Sequence, residues 1–411
     1  MSHRSAAVGF IFLTVVLDVL GLGIVLPILP TLVAEVSHTA ASDAARIYGI
    51  FVAIYAAMQF LCSPLLGSLS DRFGRRTVLL VSLAGAGMDY LAMSFAPTLA
   101  WLFVGRVIAG ITGASFTVAQ SYIADVTPPE LRAQRFGLVG AAFGLGFIIG
   151  PALGGVLSQY GTRVPFIGAG CLTLLSALYG FFVLPESLAP ENRRAFSWRR
   201  ANPLGALAGL AGKPGLLGLA AVIVVSALAS QVWPSTFVLF TAARLGFTPF
   251  QSGLGLGYYG LLAVVMQAGL IQWLMPRLGP RRALLIGMVS NFVVLVLFSG
   301  ISQGWMLFPV LALGALGFLA DPSAQGLASS AVGADEQGAT LGAIASLNSL
   351  VGVIGPLLYT GVFGFFTSPA APFAFAGAPF LIAAALLLVA FAGALRVVRN
   401  VPAAAPAAAS Q

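Results

Sequence analysis

Three carboxylates stand inside long apolar stretches of this 411-residue chain: Asp18, Asp89 and Asp321. A carboxyl group removed from water keeps its proton to higher pH than one in solution. Such a group can trade its proton for an arriving cation, which would exchange the two across a barrier without ATP. The plainer alternative is a carboxyl that only joins two helices by a hydrogen bond. Arg106 is the basic counterpart, in Arg106-Val-Ile-Ala-Gly110-Ile-Thr112-Gly113. Arg106, Gly110 and Gly113 follow at i, i+4 and i+7 and share one helix face. A cation at that depth is costly unless it faces a polar cavity or a carboxylate, which groups it with the acids for proton coupling. Otherwise its long stem snorkels to the nearer interface.

Two glycine-bearing motifs accompany these charges. The first reads Gly67-Ser-Leu-Ser-Asp71-Arg72-Phe-Gly74-Arg75-Arg76. A short turn of this kind lets two helices approach while a carboxylate meets cations or a helix N-terminus, making an ion-pair latch at the membrane surface. The alternative is that its arginines only hold the loop on one side of the membrane. The second motif reads Gly146-Phe-Ile-Ile-Gly150-Pro151-Ala-Leu-Gly154-Gly155. Gly146, Gly150 and Gly154 form a groove along one helix face, and Pro151 removes a backbone hydrogen bond and bends the helix. Tight helix packing alone would also select this pattern. Polar or aromatic side chains in apolar runs are candidates to line a substrate pocket near the midplane: Gln59, Thr112, Gln120, Gln231, Trp233, Tyr258, Gln267, Asn291 and Asn348. Each could instead bond a neighbouring helix.

The elements that carry these residues are set by composition. The chain is 59% hydrophobic and 8% charged, whereas a soluble domain carries about 25% charged residues. So little charge cannot cover a water-facing surface, and the chain reads as an all-α membrane protein. A net charge of +8 would suggest nucleic acid in a soluble protein. Here the basic residues lie between apolar runs, as orientation in a membrane requires, and no nucleic-acid partner is expected. Lys213 is the only lysine and is followed by Pro214, so no Walker A loop exists to bind ATP. His3 and His38 stand apart, and Cys62 and Cys171 lie in apolar runs. No metal site, disulfide or cofactor is expected from them.

A bilayer crossing needs about 20 mainly apolar residues. Twelve such runs fall near 8–30, 47–69, 77–96, 98–123, 136–158, 164–184, 214–240, 251–274, 282–302, 304–330, 338–365 and 372–395. The first, interrupted by Asp18, Pro27 and Pro30, reads as a retained helix rather than a cleaved signal. Alternate loops hold sixteen basic residues on the side of both termini and three on the other. That asymmetry puts both termini in the cytoplasm of a multi-pass plasma-membrane protein. Arg72-Phe73-Gly74 answers to Arg277-Leu278-Gly279, Gly137 to Gly342, and Gly150-Pro151 to Gly355-Pro356, each at an offset of 205 residues. Three matches at one offset predict two pseudo-symmetric six-helix halves. The expected division is an N-terminal half 1–185, a cytoplasmic linker 186–213, a C-terminal half 214–400 and a disordered Ala/Pro-rich tail 401–411.

The 67–76 loop resembles the signature of the major facilitator superfamily, G-x-x-x-D-R-x-G-R-R, and the 146–155 motif is similar to that of its drug antiporters. Several first-half segments together look like the tetracycline/proton antiporter group: Leu17-Asp18 through Pro30, Ser70 to Arg76, Met88-Asp89-Tyr90, Gly105-Arg106, Ala109 to Ala114, and Tyr122-Ile-Ala-Asp125. This resemblance implies the twelve-helix facilitator fold, a monomer, and proton-coupled drug export across the inner membrane. It implies Asp125 as a third member of an Asp71–Arg75 charge relay at the cytoplasmic gate, and Arg106 as a participant in proton transfer. Asp18 and Asp89 match acids of the group. The substrate would be tetracycline carried as a magnesium chelate, so that magnesium travels with the drug. Two departures stand out. The second-half copy of the gate has Pro276 where Asp71 stands, so the latch is one-sided. The acid that the group carries in span nine corresponds to Asn291, which cannot titrate, while Asp321 is an acid the group does not match and could compensate. A multidrug or metabolite exporter of the same fold is the alternative, and a non-transporting scaffold or sensor is a third possibility. No constellation of an enzyme is visible.

Overall fold

Long apolar runs separated by short turns rich in Gly, Pro and Arg fold into a bundle of helices. The computed structural model describes residues 3–128, 131–194, 196, 214–330 and 337–400. Among them the first half comprises α1 (His3–Val25), α2 (Leu29–Ser37), α3 (Ala41–Phe73), α4 (Arg75–Ser94), α5 (Leu99–Gly113), α6 (Ser115–Val126), α7 (Arg132–Ser158) and α8 (Val164–Val183). The second half comprises α9 (Pro214–Ser230), α10 (Val232–Leu245), α11 (Pro249–Val265), α12 (Ile271–Gly300), α13 (Leu307–Leu313), α14 (Ala320–Ser330), α15 (Gln337–Phe366) and α16 (Ala378–Asn400).

Nine helical stretches among the described residues are long and apolar enough to cross a bilayer by themselves. A tenth crossing joins residues 11–25 to α2 across a 43° bend, where Pro27 and Pro30 interrupt the backbone ladder. The remaining two are α7, whose apolar part is Gly144–Ser158, and a crossing in which α11 runs through a π-turn, Met266–Leu270, into residues 271–278. The twelve expected spans are therefore present, several of them broken. α5 and α6 form one, α9 and α10 another, and α13, a 3₁₀ stretch (Gly314–Leu319) and α14 a third.

The repeat is visible in backbone angles and in packing. Gly74 ends α3 at φ 97°, ψ 149°, and Gly279, 205 residues later, breaks α12 at φ 70°, ψ 159°. Only glycine adopts such positive φ readily, so the two matched glycines make the same turn. In the first half α1 packs on α7, α3 on α5 and α4 on α8; in the second, α9 and α10 pack on α15, α11 on α13 and α12 on α16. Between halves the main contacts are α3 with α15 and α7 with α11.

Those contacts lie at the end remote from the 67–76 loop. A Cβ on Gly364 would stand 2.6 Å from the Ser42 carbonyl, and one on Gly155 would stand 2.9 Å from the Phe250 Cα. A Cβ on Gly253 would overlap the Pro151 carbonyl, and one on Gly49 the Thr360 hydroxyl. At the other end the same helices have separated: nothing lies within 4 Å of the Cβ positions of Gly67, Gly269 or Gly342. The cleft between halves thus opens toward the 67–76 loop and is sealed at the opposite end. The expected linker is described as far as residue 194 and at 196, and its first residues fold back on this loop, with the Arg194 N–H donating to the Asp71 carbonyl at 3.0 Å. The rest of that linker and the tail from 401 lie outside the described residues.

Candidate functional site

The cleft holds two cavities. The one in the N-terminal half, about 530 Å³, is lined by Asp18, Tyr55, Gln59, Asp89, Thr112 and, from the other half, Gln231 and Asn348. Asp89 on α4 is 4% exposed, and its Oδ2 is enclosed without a hydrogen-bond partner. Arg106 on α5 is equally buried; its Nη2 points to the Met93 sulfur at 3.1 Å, its Cζ lies 6.0 Å from the centre of the Tyr55 ring, and its Nε has no partner. Among the described residues no carboxylate comes within 4.0 Å of this guanidinium. Asp18 and Asp89 therefore line one cavity, with Arg106 buried beside Tyr55 of its wall, and no ion pair locks them together. That geometry leaves the carboxyls able to change protonation with a fixed positive charge nearby. Gln59 donates to the Gly113 carbonyl at 3.3 Å, the Thr112 hydroxyl to the Ile108 carbonyl at 3.0 Å, and the Asn348 Oδ1 is enclosed without a partner.

The second cavity, about 580 Å³, lies in the C-terminal half, and Phe147 of α7 lines both. Trp233, Gln267, Asn291 and Asp321 line it together with Tyr259 and Gln325. Trp233 stacks on Tyr259 with centroids 5.7 Å apart and planes 25° apart. The Asn291 amide donates to the Gly317 carbonyl at 3.4 Å, and Gly317 must be glycine to admit it, since a Cβ there would overlap the Asn291 side chain. The three intramembrane acids are thus not brought together: Asp18 and Asp89 share one cavity and Asp321 faces the other.

The 67–76 loop forms a charge cluster. The Arg75 guanidinium bridges Asp71 at 2.6 Å, Asp125 at 3.1 Å and the Ser70 hydroxyl at 2.6 Å. Arg76 donates to the Phe181 carbonyl at 2.6 Å. Arg72 is exposed and lies over the Phe73 ring at 5.0 Å, outside the cluster, and nothing approaches Gly67. Along α7, a Cβ on Gly146 would stand 2.7 Å from the Val19 Cβ and one on Gly150 would stand 2.7 Å from the Gly23 Cα, while Gly154 meets the Ile24 backbone. These three seat α7 on α1. Gly155 faces α11 instead, and Pro151 meets both helices, its ring Cδ 3.0 Å from the Cβ position of Gly23 and its carbonyl against Gly253, so the motif joins the two halves as well as bending one helix.

A family model described as Major Facilitator Superfamily matches residues 11–356. The chain belongs to the Major Facilitator Superfamily. Its relatives within that superfamily include tetracycline resistance proteins. It is 40% identical over 350 residues to the class C protein of Escherichia coli, covering 85% of this chain and 88% of that one. It is 39% identical over 367 residues to the class G protein of Vibrio anguillarum, covering 88% and 91%. Among solved structures it superposes on a bacterial homologue of the human lysosomal transporter Spinster in an inward-facing, unoccupied conformation, with a TM-score of 0.77 at 16% identity over 98% of both chains. A nucleoside transporter superposes with a TM-score of 0.78 at 13% identity over 97% of this chain and 100% of that one. At such identities these two speak for the fold alone. The superfamily consists of transporters rather than enzymes, and the chain is a multi-pass membrane protein.

In this facilitator two of the expected pocket residues lie elsewhere. Tyr258 packs edge-on against Phe308 at 5.2 Å, and its neighbour Tyr259 takes the cavity wall. Gln120 is exposed and lines neither cavity. The charge cluster at the 67–76 loop also contains a residue that sequence reasoning passed over. Glu186, just beyond α8, accepts from the backbone N–H groups of Arg75 at 2.8 Å and Arg76 at 3.5 Å, the open first turn of α4. Its Oε1 also takes the Ser187 and Leu188 N–H groups, each at 3.1 Å. α4 has no capping side chain of its own, so Glu186 caps it from 110 residues away. One signal was available: an acid beside a span end in a chain with only twelve. Glu186→Ala is expected to destabilise this turn by roughly 1 kcal/mol, read as faster cleavage by added protease in the 184–194 segment, with Glu186→Gln intermediate.

Proposed function

We propose that this protein exports tetracycline, carried as its cationic magnesium chelate, in exchange for protons across the bacterial inner membrane. The observation that carries the reading is the 40% identity to a tetracycline resistance protein across 85% of the chain. Asp18 and Asp89, with Arg106 beside them, are the proton carriers of this account. Asp321 is the further acid available to it. The cluster of Asp71, Arg75 and Asp125, closed by Gly74 and Arg76, is the cytoplasmic gate. Residues 1–185 and 214–400 are the two bodies that rock about the cleft, joined by the linker 186–213, and the protein works as a monomer in the bilayer. Sixteen basic residues on the side of the termini against three opposite favour cytoplasmic termini, which makes the open end of the cleft the cytoplasmic one.

The cycle follows from that geometry. The carboxyls release a proton to the cytoplasm, and drug enters from the same side. The halves then rock, the end now sealed by Gly155, Gly253 and Gly364 opens, and the drug leaves. A proton from outside neutralises a carboxylate before the return. One monocation out for one proton in moves no net charge. The test is uptake of magnesium–tetracycline into everted vesicles with an imposed acid-inside gradient. Gradient-dependent accumulation is expected. Accumulation of an unrelated cationic drug in its place would favour a multidrug exporter, consistent with Asn291, and accumulation of neither would remove the antiporter reading.

A further inference from the structure

The two cavities differ in what can reach their charges. Asp89 is 4% exposed and Arg106 is equally buried. A proton passed along water can arrive there, but a drug-sized molecule cannot make contact with groups so enclosed, which leaves the half-buried Asp18 as the one acid on this cavity's wall that is partly open. Asp321 is exposed to its cavity, and among the lining residues it is the only charged one. Around it stand the carboxamides of Asn291, Gln267 and Gln325 and the Trp233–Tyr259 stack. One accessible negative charge, a flat aromatic wall and several hydrogen-bonding amides suit a monocation that has a planar conjugated face and many oxygens. Phe147 lies on the wall common to both cavities.

We infer that the C-terminal cavity is the drug subsite, with Asp321 as the counter-charge of the cationic ligand, while protons are handled separately by Asp18 and Asp89 on the far side of Phe147. This rests on the proposed exporter reading and adds to it a division of labour. Drug and proton then do not compete for one carboxylate, and their coupling runs through the rocking of the halves. Asp321→Asn keeps the size of the side chain and removes only its charge.

The experiment is equilibrium binding of magnesium–tetracycline to purified full-length protein in detergent, followed by quenching of tryptophan fluorescence, with ethidium as a second probe. Asp321→Asn is expected to weaken binding of the probe at least about tenfold, and Asp321→Glu to restore most of it. Asp89→Asn is expected to bind as the wild type does. Equal weakening in Asp321→Asn and Asp89→Asn, or wild-type affinity in Asp321→Asn, overturns this inference while leaving export intact. Failure of the wild type to bind either probe overturns the exporter reading and this inference with it. Matching elution of all variants on size exclusion establishes that they fold alike.

Discussion

Asp89→Asn reduces gradient-driven uptake in everted vesicles to the level of vesicles lacking the protein, and leaves the protein folded and abundant in the membrane. The substitution preserves shape at a site with no room to spare: a Cβ on neighbouring Gly105 would stand 3.1 Å from the Asp89 Oδ1 and 2.6 Å from the Met93 Cγ. It adds no packing strain, and it removes the one property that the enclosed, unpartnered Oδ2 offers, the ability to gain and lose a proton. The loss is expected to be selective. Exchange of drug down its own gradient, with no proton gradient imposed, continues in the variant, because the C-terminal cavity is untouched. Asp18→Asn follows the same pattern. A structural role for Asp89 as a helix-to-helix hydrogen bond predicts the reverse, a fall in protein abundance with coupling kept per surviving molecule.

The second large effect is conformational. Gly253→Leu is expected to expose the cavity to the outside, because a side chain at 253 would overlap the Pro151 carbonyl and press within 3.3 Å of the Gly155 Cα. Both contacts are backbone, so neither can swing aside, and the strain of about 1–3 kcal/mol falls only on the conformation sealed at this end. A bias of that size shifts a two-state balance by roughly 5- to 150-fold. The measurement is labelling of Ser349→Cys, a cavity residue on α15, by a membrane-impermeant thiol reagent, in a background where Cys62 and Cys171 are replaced. The parent labels from the cytoplasmic side. The Gly253→Leu protein labels from outside in intact cells, and Gly253→Ala shows a smaller change in the same direction. Unchanged sidedness in both would mean that this contact does not hold the sealed state.

Much of this arrangement was legible in the sequence, for reasons that differ from residue to residue. Twelve spans follow from the thickness of a bilayer, and the breaks at Pro27 and at Gly279 follow from residues that cannot continue a helix. The charge cluster of the 67–76 loop was legible because Asp71, Gly74 and Arg75 lie within one turn, where sequence distance is nearly spatial distance. Asp18, Asp89 and Arg106 were legible because charge in an apolar run needs an explanation. Tyr258 was misplaced by one residue: successive positions on a helix differ by about 100°, and the broken crossing of α11 and its π-turn gives no periodic signal long enough to fix the face. Glu186 was missed because the groups it caps are backbone amides, which leave no trace in residue identity. The separation into two cavities was hidden for a related reason. A list of polar residues at midplane does not reveal that Phe147, an ordinary apolar residue of α7, stands on the wall between Asp18 and Asp321.

The most direct test of the account is proton movement driven by drug alone. Protein reconstituted into liposomes at equal pH on both sides, with the membrane potential clamped, is given magnesium–tetracycline outside, and luminal pH is followed with a trapped dye. Exchange predicts that drug entry drives protons out, so the lumen becomes alkaline with the wild type, and that Asp89→Asn abolishes this change while drug still enters. Drug entry with no luminal pH change in the wild type would contradict proton-coupled exchange.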